Sequence, residues 1–218
     1  MAKDRLTPLQ RDLLRAFFEK ERGFYLTGGA ALAGFYVAHR ATTDLDLFTL
    51  EDEAFERGRK SLEAAVTALK GTLTVKQHVP GFHRYLVQRG DEAVVVDLVR
   101  ERVPQCYGEK IERDGIRIDP LDEILANKLT TVLSRAEARD LVDLLVLEQA
   151  GHRVEQALPA ALAKDGGCTP AALAWVLSQI VIPPDAGLPG NVPGTVLRQY
   201  VEELVTRLRR AAAPGGRQ

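Results

Sequence analysis

Apolar residues recur at helical spacing near the start of the chain. Leu9, Leu13, Leu14, Phe17 and Phe18 share one face of residues 8–21, with Thr7 suited to cap the helix and Pro8 to its first turn. The pattern then shortens: residues 24–27 read as a brief strand, Gly28 and Gly29 as a turn, and residues 30–38 as a small apolar helix. Residues 44–50 alternate Asp44, Leu45, Asp46 and Leu47 as a half-buried strand does, and residues 51–70 return to helical periodicity. Beyond Gly71 the runs TLTVKQHV, HRYLVQRG and AVVVDLVR are separated by turn signals at Pro80-Gly81 and Gly90-Asp91, which predicts an antiparallel meander. From about Asp119 the periodicity is helical: LDEILANKLTTVLS, AEARDLVDLLVLEQA, HRVEQALPAALAK, TPAALAWVLSQI and, after IPPDAGLPGNVPG, TVLRQYVEELVTRLRR. Strands first and helices afterwards predict an α+β fold, with an α/β domain over residues 1–110 and a helical C-terminal domain over residues 111–218. The boundary is expected within residues 105–118, and the tail AAAPGGRQ is expected to fray.

Composition narrows the function classes. A chain of 218 residues, 45% hydrophobic, can bury a sizeable core as one large domain or two small ones. Lys and Arg number 29 against 30 Asp and Glu, so a net charge of -1 gives no whole-molecule attraction to nucleic acid or anionic membrane. Any polyanion must be held locally. Cys106 and Cys168 lack metal-ligand spacing and are expected to be buried thiols of a protein from a reducing compartment. Charges interrupt the N-terminal residues where a signal peptide would be apolar, and no run approaches the roughly 20 apolar residues that span a bilayer, so a cytoplasmic protein without a membrane partner is expected.

The stretch FYLTGGAALAGFYVAHRATTDLDLFTL carries the chemistry. On a strand, side chains at i and i+2 share a face, so Asp44 and Asp46 present two carboxylates about 7 Å apart while Leu45 and Leu47 point to the core. Hard oxygen ligands of this kind suit Mg²⁺, which takes one or two protein carboxylates and completes its shell with water and phosphate. Gly28 and Gly29 let backbone N–H groups approach an anion closely. Asp97 interrupts AVVVDLV, a run apolar enough to be buried, so a metal or a cationic side chain must offset its charge. If its strand lies beside that of Asp44 and Asp46, Asp97 serves a second metal or accepts the proton of an attacking hydroxyl. An anion cradle beside a metal clamp meets the needs of phosphoryl or nucleotidyl transfer.

GG, a helix, DLD and a later strand aspartate together resemble the nucleotidyltransferase superfamily of the DNA polymerase β type. The longer matches LTGGAALAG, HRATTDLDLF, VVVDLV, NKLTTVLSRAEARDLVDLLVL and KDGGCTPAALAWVL resemble the narrower AbiEii/AbiGii toxin family and span most of residues 24–180. The resemblance implies a nucleotidyltransferase-type mixed β-sheet with flanking helices, and a metal-dependent enzyme that moves NMP from an NTP to an acceptor. In that family the acceptor is the tRNA acceptor end, and the toxin is encoded with an antitoxin partner. Carried over residue by residue, Gly28 and Gly29 take the phosphate-loop role, and Asp44, Asp46 and Asp97 hold two Mg²⁺ ions. Lys128 matches the lysine that contacts the triphosphate, and Asp143 the acid of the helical signature. Gly29 stands where many members of the superfamily have serine, which removes one hydroxyl contact to phosphate. Two alternatives remain open on the residues: the same chemistry on a small molecule of the antibiotic type, or a noncatalytic nucleotide-binding or partner-binding module of the same fold.

Other residues carry less. Arg40, just before the acidic strand, is expected to position nucleotide, and His39 to have no role. Lys76 and Arg84 lie on neighbouring strands that border the cleft, and Asp143 is expected to meet Lys128, Arg135 or Arg139. His78, His83 and His152 have no zinc spacing. Arg113, Arg117, Arg198, Arg207, Arg209 and Arg210 read as solvated charge before they read as an RNA path, and Trp175 as core packing.

Overall fold

A computed structural model describes residues 5–213 and divides the chain into two compact units. The first comprises the residues up to Val103 together with Glu109–Pro120, and the second Pro104–Gly108 together with the chain from Leu121 onward. The expected frayed tail lies outside the described residues from Pro214 on.

In the first unit, α1 (Pro8–Phe18) begins as its sequence predicts. The Thr7 hydroxyl accepts from the Gln10 N–H and the Gln10 side chain accepts from the Thr7 N–H, a reciprocal cap that satisfies two donors of the first turn. Next come β1 (Tyr25–Thr27), a single α-turn α2 (Gly28–Ala31) that widens into a π-turn over Leu32–Tyr36, β2 (Asp44–Thr49) and α3 (Asp52–Ala68). The helix after the glycines is therefore shorter than residues 30–38 suggest. The meander forms as β3 (Thr72–Val79), β4 (Phe82–Arg89) and β5 (Glu92–Arg100), with antiparallel pairing throughout. A hairpin of β6 (Ile111–Arg113) and β7 (Ile116–Ile118) completes a seven-stranded sheet in the order β3-β4-β5-β2-β1-β7-β6. The pairs β2/β5 and β1/β7 are parallel and the others antiparallel, so the sheet is mixed.

Alternation sorts the two faces. Leu26, Leu45, Leu47, Val96 and Leu98 are all buried, and α3 lies against their face so closely that a methyl on Gly58 would fall 2.7 Å from Phe24 and 3.3 Å from Leu98. Phe17 stacks edge-on to Phe24 at 5.4 Å, which brings α1 into the same core. Each such large side chain contributes about 1.5–3 kcal/mol on burial. The opposite face of β4, β5 and β2 is left for Arg84, Asp97, Asp44 and Asp46.

The second unit is built from α4 (Leu121–Ser134), α5 (Ala138–Gln149), α6 (Val154–Lys164), α7 (Pro170–Ser178) and α8 (Gly194–Ala212). Glu123, in the first turn of α4, accepts the N–H groups of Cys106 and Tyr107 at 3.1 and 2.8 Å, while Lys164 ion-pairs with the same buried carboxylate and donates to the Pro104 carbonyl at 2.9 Å. That network ties residues 104–108 to the helices. The chain therefore crosses between units three times, and the β6–β7 hairpin belongs to the sheet instead of the helical part, because β7 pairs with β1.

Two expectations about packing are corrected. Trp175 is 67% exposed: α7 is apolar on nearly every side, so its spacing does not reveal which side faces the core. Cys106 is exposed, since it sits in the connecting loop and not in a strand or helix, whereas Cys168 is buried and its thiol is pushed up to about 11 by that burial and by nearby Asp165.

Candidate active site

The first unit gathers its polar residues by register. Thr27 opposes Asp46 across β1/β2, Asp46 opposes Asp97 across β2/β5, and Asp97 opposes Arg84 across β5/β4. Directly opposed residues share a face, so these four form one row, with Asp44 two residues before Asp46 on the same face. The sheet thus places Asp44, Asp46 and Asp97 on one face of neighbouring strands.

Gly28 stands over the middle of this row. Its φ is +64°, a left-handed conformation that glycine adopts without strain, and a Cβ there would lie 2.5 Å from Asp46 Oδ2. Any side chain would displace the carboxylate. Gly29 has its own reason to be small: a Cβ would lie 2.9 Å from an Arg40 guanidinium nitrogen. Arg40 is nearly buried and donates to the Ala41 carbonyl at 3.2 Å, so it braces the glycine turn from the side of the loop that leads into β2. Thr42, in the same loop, donates its hydroxyl to Asp44 Oδ1 at 2.5 Å, and its carbonyl accepts from the buried Gln10 side chain at 2.9 Å. The capping residue of α1 therefore also fixes the approach to the acidic strand.

Asp97 is 4% exposed, and its charge is offset by an arginine. Arg84 grips it through two parallel bonds, Nε to Oδ1 at 2.8 Å and Nη2 to Oδ2 at 2.7 Å. The Asp97 hydrogen bond raises the Arg84 pKa most, burial opposes it, and the charges of Asp97, Asp44 and Asp46 add to the rise. Among the described residues no three His, Cys, Asp or Glu side chains are gathered closely enough to hold a metal together. Asp44 and Asp46, on one face beside a glycine turn, remain a two-carboxylate oxygen set of the kind Mg²⁺ accepts.

Sequence reasoning did not single out Thr27 or Thr42, and named Arg84 only as a neighbour of the cleft. Thr27 is buried, and its hydroxyl has no hydrogen-bond partner among the described residues. One strand further, Asp119 follows the Leu26↔Ile118 pair and forms a buried ion pair with Lys110 at 2.5 Å, with the ammonium 4.0 Å above the Tyr25 ring. The only signal for Thr42 was its place two residues before Asp44; no local signal marks Lys110 and Asp119.

Lys128 and Asp143 meet inside the second unit. The Lys128 ammonium lies 2.9 Å from Asp140 Oδ1 and 2.7 Å from Asp143 Oδ2, and both carboxylates are fully buried. Arg135 adds a bond from Nε to Asp140 Oδ2 at 3.0 Å. Burial alone would raise the Asp140 pKa, but the Arg135 bond and the Lys128 charge outweigh it and hold this carboxyl below its usual range. Lys128, one of the three partners expected for Asp143, meets it, and Arg139 pairs with Glu137 at 2.8 Å. Arg207 binds Glu148 and Glu155, and Arg198 donates to the Ile182 carbonyl. Among the described residues no helix is long and apolar enough to cross a membrane.

Two solved structures resemble this fold over nearly its whole length. A candidate nucleotidyltransferase from H. pylori aligns with a TM-score of 0.57 at 19% identity, covering 94% of this chain and 96% of that one. JHP933 from Helicobacter pylori aligns with a TM-score of 0.54 at 18% identity, covering 94% and 92%. No curated protein matches the sequence. The family described as nucleotidyl transferase AbiEii toxin, type IV toxin–antitoxin system, matches residues 11–212, and with that span the chain belongs to the AbiEii nucleotidyltransferase toxins.

Proposed function

We propose that this nucleotidyltransferase transfers NMP from an NTP, with Mg²⁺, to the acceptor end of tRNA, as the toxin partner of a cognate antitoxin. The observation that carries the reading is the contact between Gly28 and the Asp46 carboxylate, within a row that also holds Asp97 and flanks Asp44. Asp44 and Asp46 are the carboxylates that would hold the metal, Asp97 being paired with Arg84, and bound Mg²⁺ would neutralise phosphate charge and make the α-phosphorus more electrophilic. The chain's own contribution is positioning. Backbone N–H groups at Gly28 and Gly29 can approach the triphosphate because no side chain stands in the way, and Arg40 fixes the turn that presents them. Asp97 is assigned a separate role, accepting the proton of the attacking hydroxyl. In the helical unit Lys128 is held by Asp140 and Asp143.

The test is direct. Purified protein is incubated with each labelled NTP, Mg²⁺ and a mixture of total RNA, total protein and small hydroxylated acceptors. Label is expected in the tRNA band with one or more NTPs, and is lost with EDTA and in Asp46→Ala. Equal inactivity of wild type and Asp46→Ala with every NTP would sink the enzyme reading. Label on small acceptors alone would move the substrate class.

A further inference from the structure

We propose that an arginine-lined cavity, at the far end of the helical turn that Gly28 and Gly29 open, seats a single-stranded nucleotide of the acceptor RNA. The inference rests on the nucleotidyl-transfer reading and deepens it, naming where the acceptor is held while the acidic row and the glycine turn serve the NTP.

The cavity lies within the first unit and has a volume of about 670 Å³, the size of a small-ligand site. Leu6, Phe35 and Ile116 give it an apolar lining. Among the described residues, its charged lining is Arg11, Arg15 and Arg113 against Asp114 alone. Arg11 and Arg15 are four apart on α1 and share one flank of that helix. Arg113 comes from β6, and its guanidinium donates to the Phe35 carbonyl and lies 5.2 Å over the Tyr36 ring. That carbonyl takes one of the five N–H donors of a guanidinium whose position the ring fixes, which leaves a preformed fork for phosphate.

Charge, shape and position select the occupant. The chain has a net charge of -1, so a polyanion needs a local excess of cations, and this cavity supplies one. Arg15 and Arg113 are exposed and come from separate elements, an arrangement that suits successive phosphates of a strand better than the single phosphate of a mononucleotide. Phe35 is half-buried and offers its ring to a base, which must be unstacked from its neighbours to enter; an unpaired end meets that condition and a duplex does not. Position ties the cavity to the chemistry. The π-turn over Leu32–Tyr36 continues α2 without a break, so Phe35 stands about 10 Å along the helix from Gly28. The Tyr36 hydroxyl donates to the Asp119 carbonyl at 2.6 Å, and the Asp119 N–H donates to the Leu26 carbonyl at 2.9 Å, which anchors the cavity wall to β1 just before the glycine turn. A strand seated in the cavity has its next nucleotides within reach of the acidic row.

The test titrates a fluorescently labelled RNA hairpin with an unpaired 3′ end into the full-length chain, in EDTA without NTP, and reads anisotropy across a range of salt. Arg15→Ala combined with Arg113→Ala should weaken binding about tenfold or more and lower the salt slope by about one. Phe35→Ala should weaken binding about fivefold with the salt slope unchanged, and only when the 3′ end is unpaired. Lys60→Ala, which removes an exposed cation of α3, should bind as wild type does. In steady-state transfer the arginine variants should raise the KM for RNA and leave the KM for NTP unchanged. Circular dichroism verifies that each variant is folded; if the double variant is not, Arg15→Ala alone carries the test with a loss of about threefold. Absence of RNA binding in wild type, folded cavity variants that bind as wild type, an equal loss in Lys60→Ala, a Phe35 effect that persists on a blunt hairpin, or AMP bound as tightly as the hairpin each overturns the proposal. Such failure is distinct from failure of the transferase reading: transfer that is indifferent to the cavity variants discards the cavity and keeps the enzyme, whereas RNA binding lost in those variants beside an inactive wild type keeps the cavity and discards the transfer.

Discussion

Two acid-and-cation clusters in this protein are built from the same residue types and differ in what surrounds them. In the helical unit, Lys128 is 9% exposed at its side chain and bridges two fully buried aspartates, with Arg135 closing the remaining flank. In the sheet unit, Asp44, Asp46 and Asp97 line up on a face where Arg84, which grips Asp97, is about half exposed. The first arrangement is internally neutralised and rigid. The second leaves its cation open to solvent on a sheet face, an arrangement useful where a cation and a polyanion must come and go. The difference teaches that a buried acid is not in itself the mark of a site. The exposure of its partner is more informative.

Paired substitutions sharpen that contrast most strongly. Asp46→Asn should reduce transfer by about 10³-fold or more while leaving thermal stability close to wild type, since the amide keeps the shape of the carboxylate. Lys128→Met should act on stability: it strands Asp140 and Asp143 without their shared ammonium, at a cost of about 3–5 kcal/mol and a fall in Tm of roughly 10 °C. Calorimetric melting beside a transfer assay reads both. A Lys128→Met protein melting with wild type would mean that the helical cluster is not neutralised from within.

Next in size is a comparison of two glycines with nearly the same backbone. Gly28 has φ +64° and Gly90 φ +58°, but a Cβ on Gly90 meets nothing within 4 Å, whereas one on Gly28 meets Asp46 Oδ2 at 2.5 Å. Gly90→Ala therefore measures left-handed strain alone, about 1 kcal/mol. Gly28→Ala carries the same strain and displaces the carboxylate, so transfer should fall at least about 100-fold beyond the Gly90 variant. Equal activity in the two would detach the glycine turn from the chemistry.

These contrasts also mark what the sequence reveals. The alternation in DLDLF and the apolar run around Asp97 were enough to place both strands and to require a cation beside the buried acid. They could not say which cation, because Arg84 meets Asp97 through the register of an antiparallel pair thirteen residues apart, and register is a property of the folded sheet. The β6–β7 hairpin escaped because two three-residue strands around Asp114-Gly115 are too short to show periodicity. Trp175 misled for the opposite reason, periodicity without contrast, in a helix whose apolar residues encircle it. For Asp143 the helical signature offered three cations, Lys128, Arg135 and Arg139, and Lys128, on the neighbouring helix, lies 2.7 Å from it.

The smallest effect separates the two units by pH. His83, on the core face of β4, stacks on His78 at 3.8 Å and contacts Phe55 at 4.6 Å; burial, with help from the His78 charge, lowers its pKa below 6.5. Between that lowered value and 6.5 the unfolded chain takes up a proton that the folded chain refuses, so stability declines as pH falls below 6.5 and is fully present above it. Asp140 also loses its contribution on acidification, but its folded pKa lies below 3.8, so that loss begins only at far lower pH. Melting temperatures taken from pH 7 to pH 5 should therefore fall slightly through His83, and His83→Phe should flatten the slope while the helical cluster stays intact. If the slope survives in His83→Phe, the stacked histidines do not set the acid sensitivity of the sheet, and another group on its core face must be titrating there.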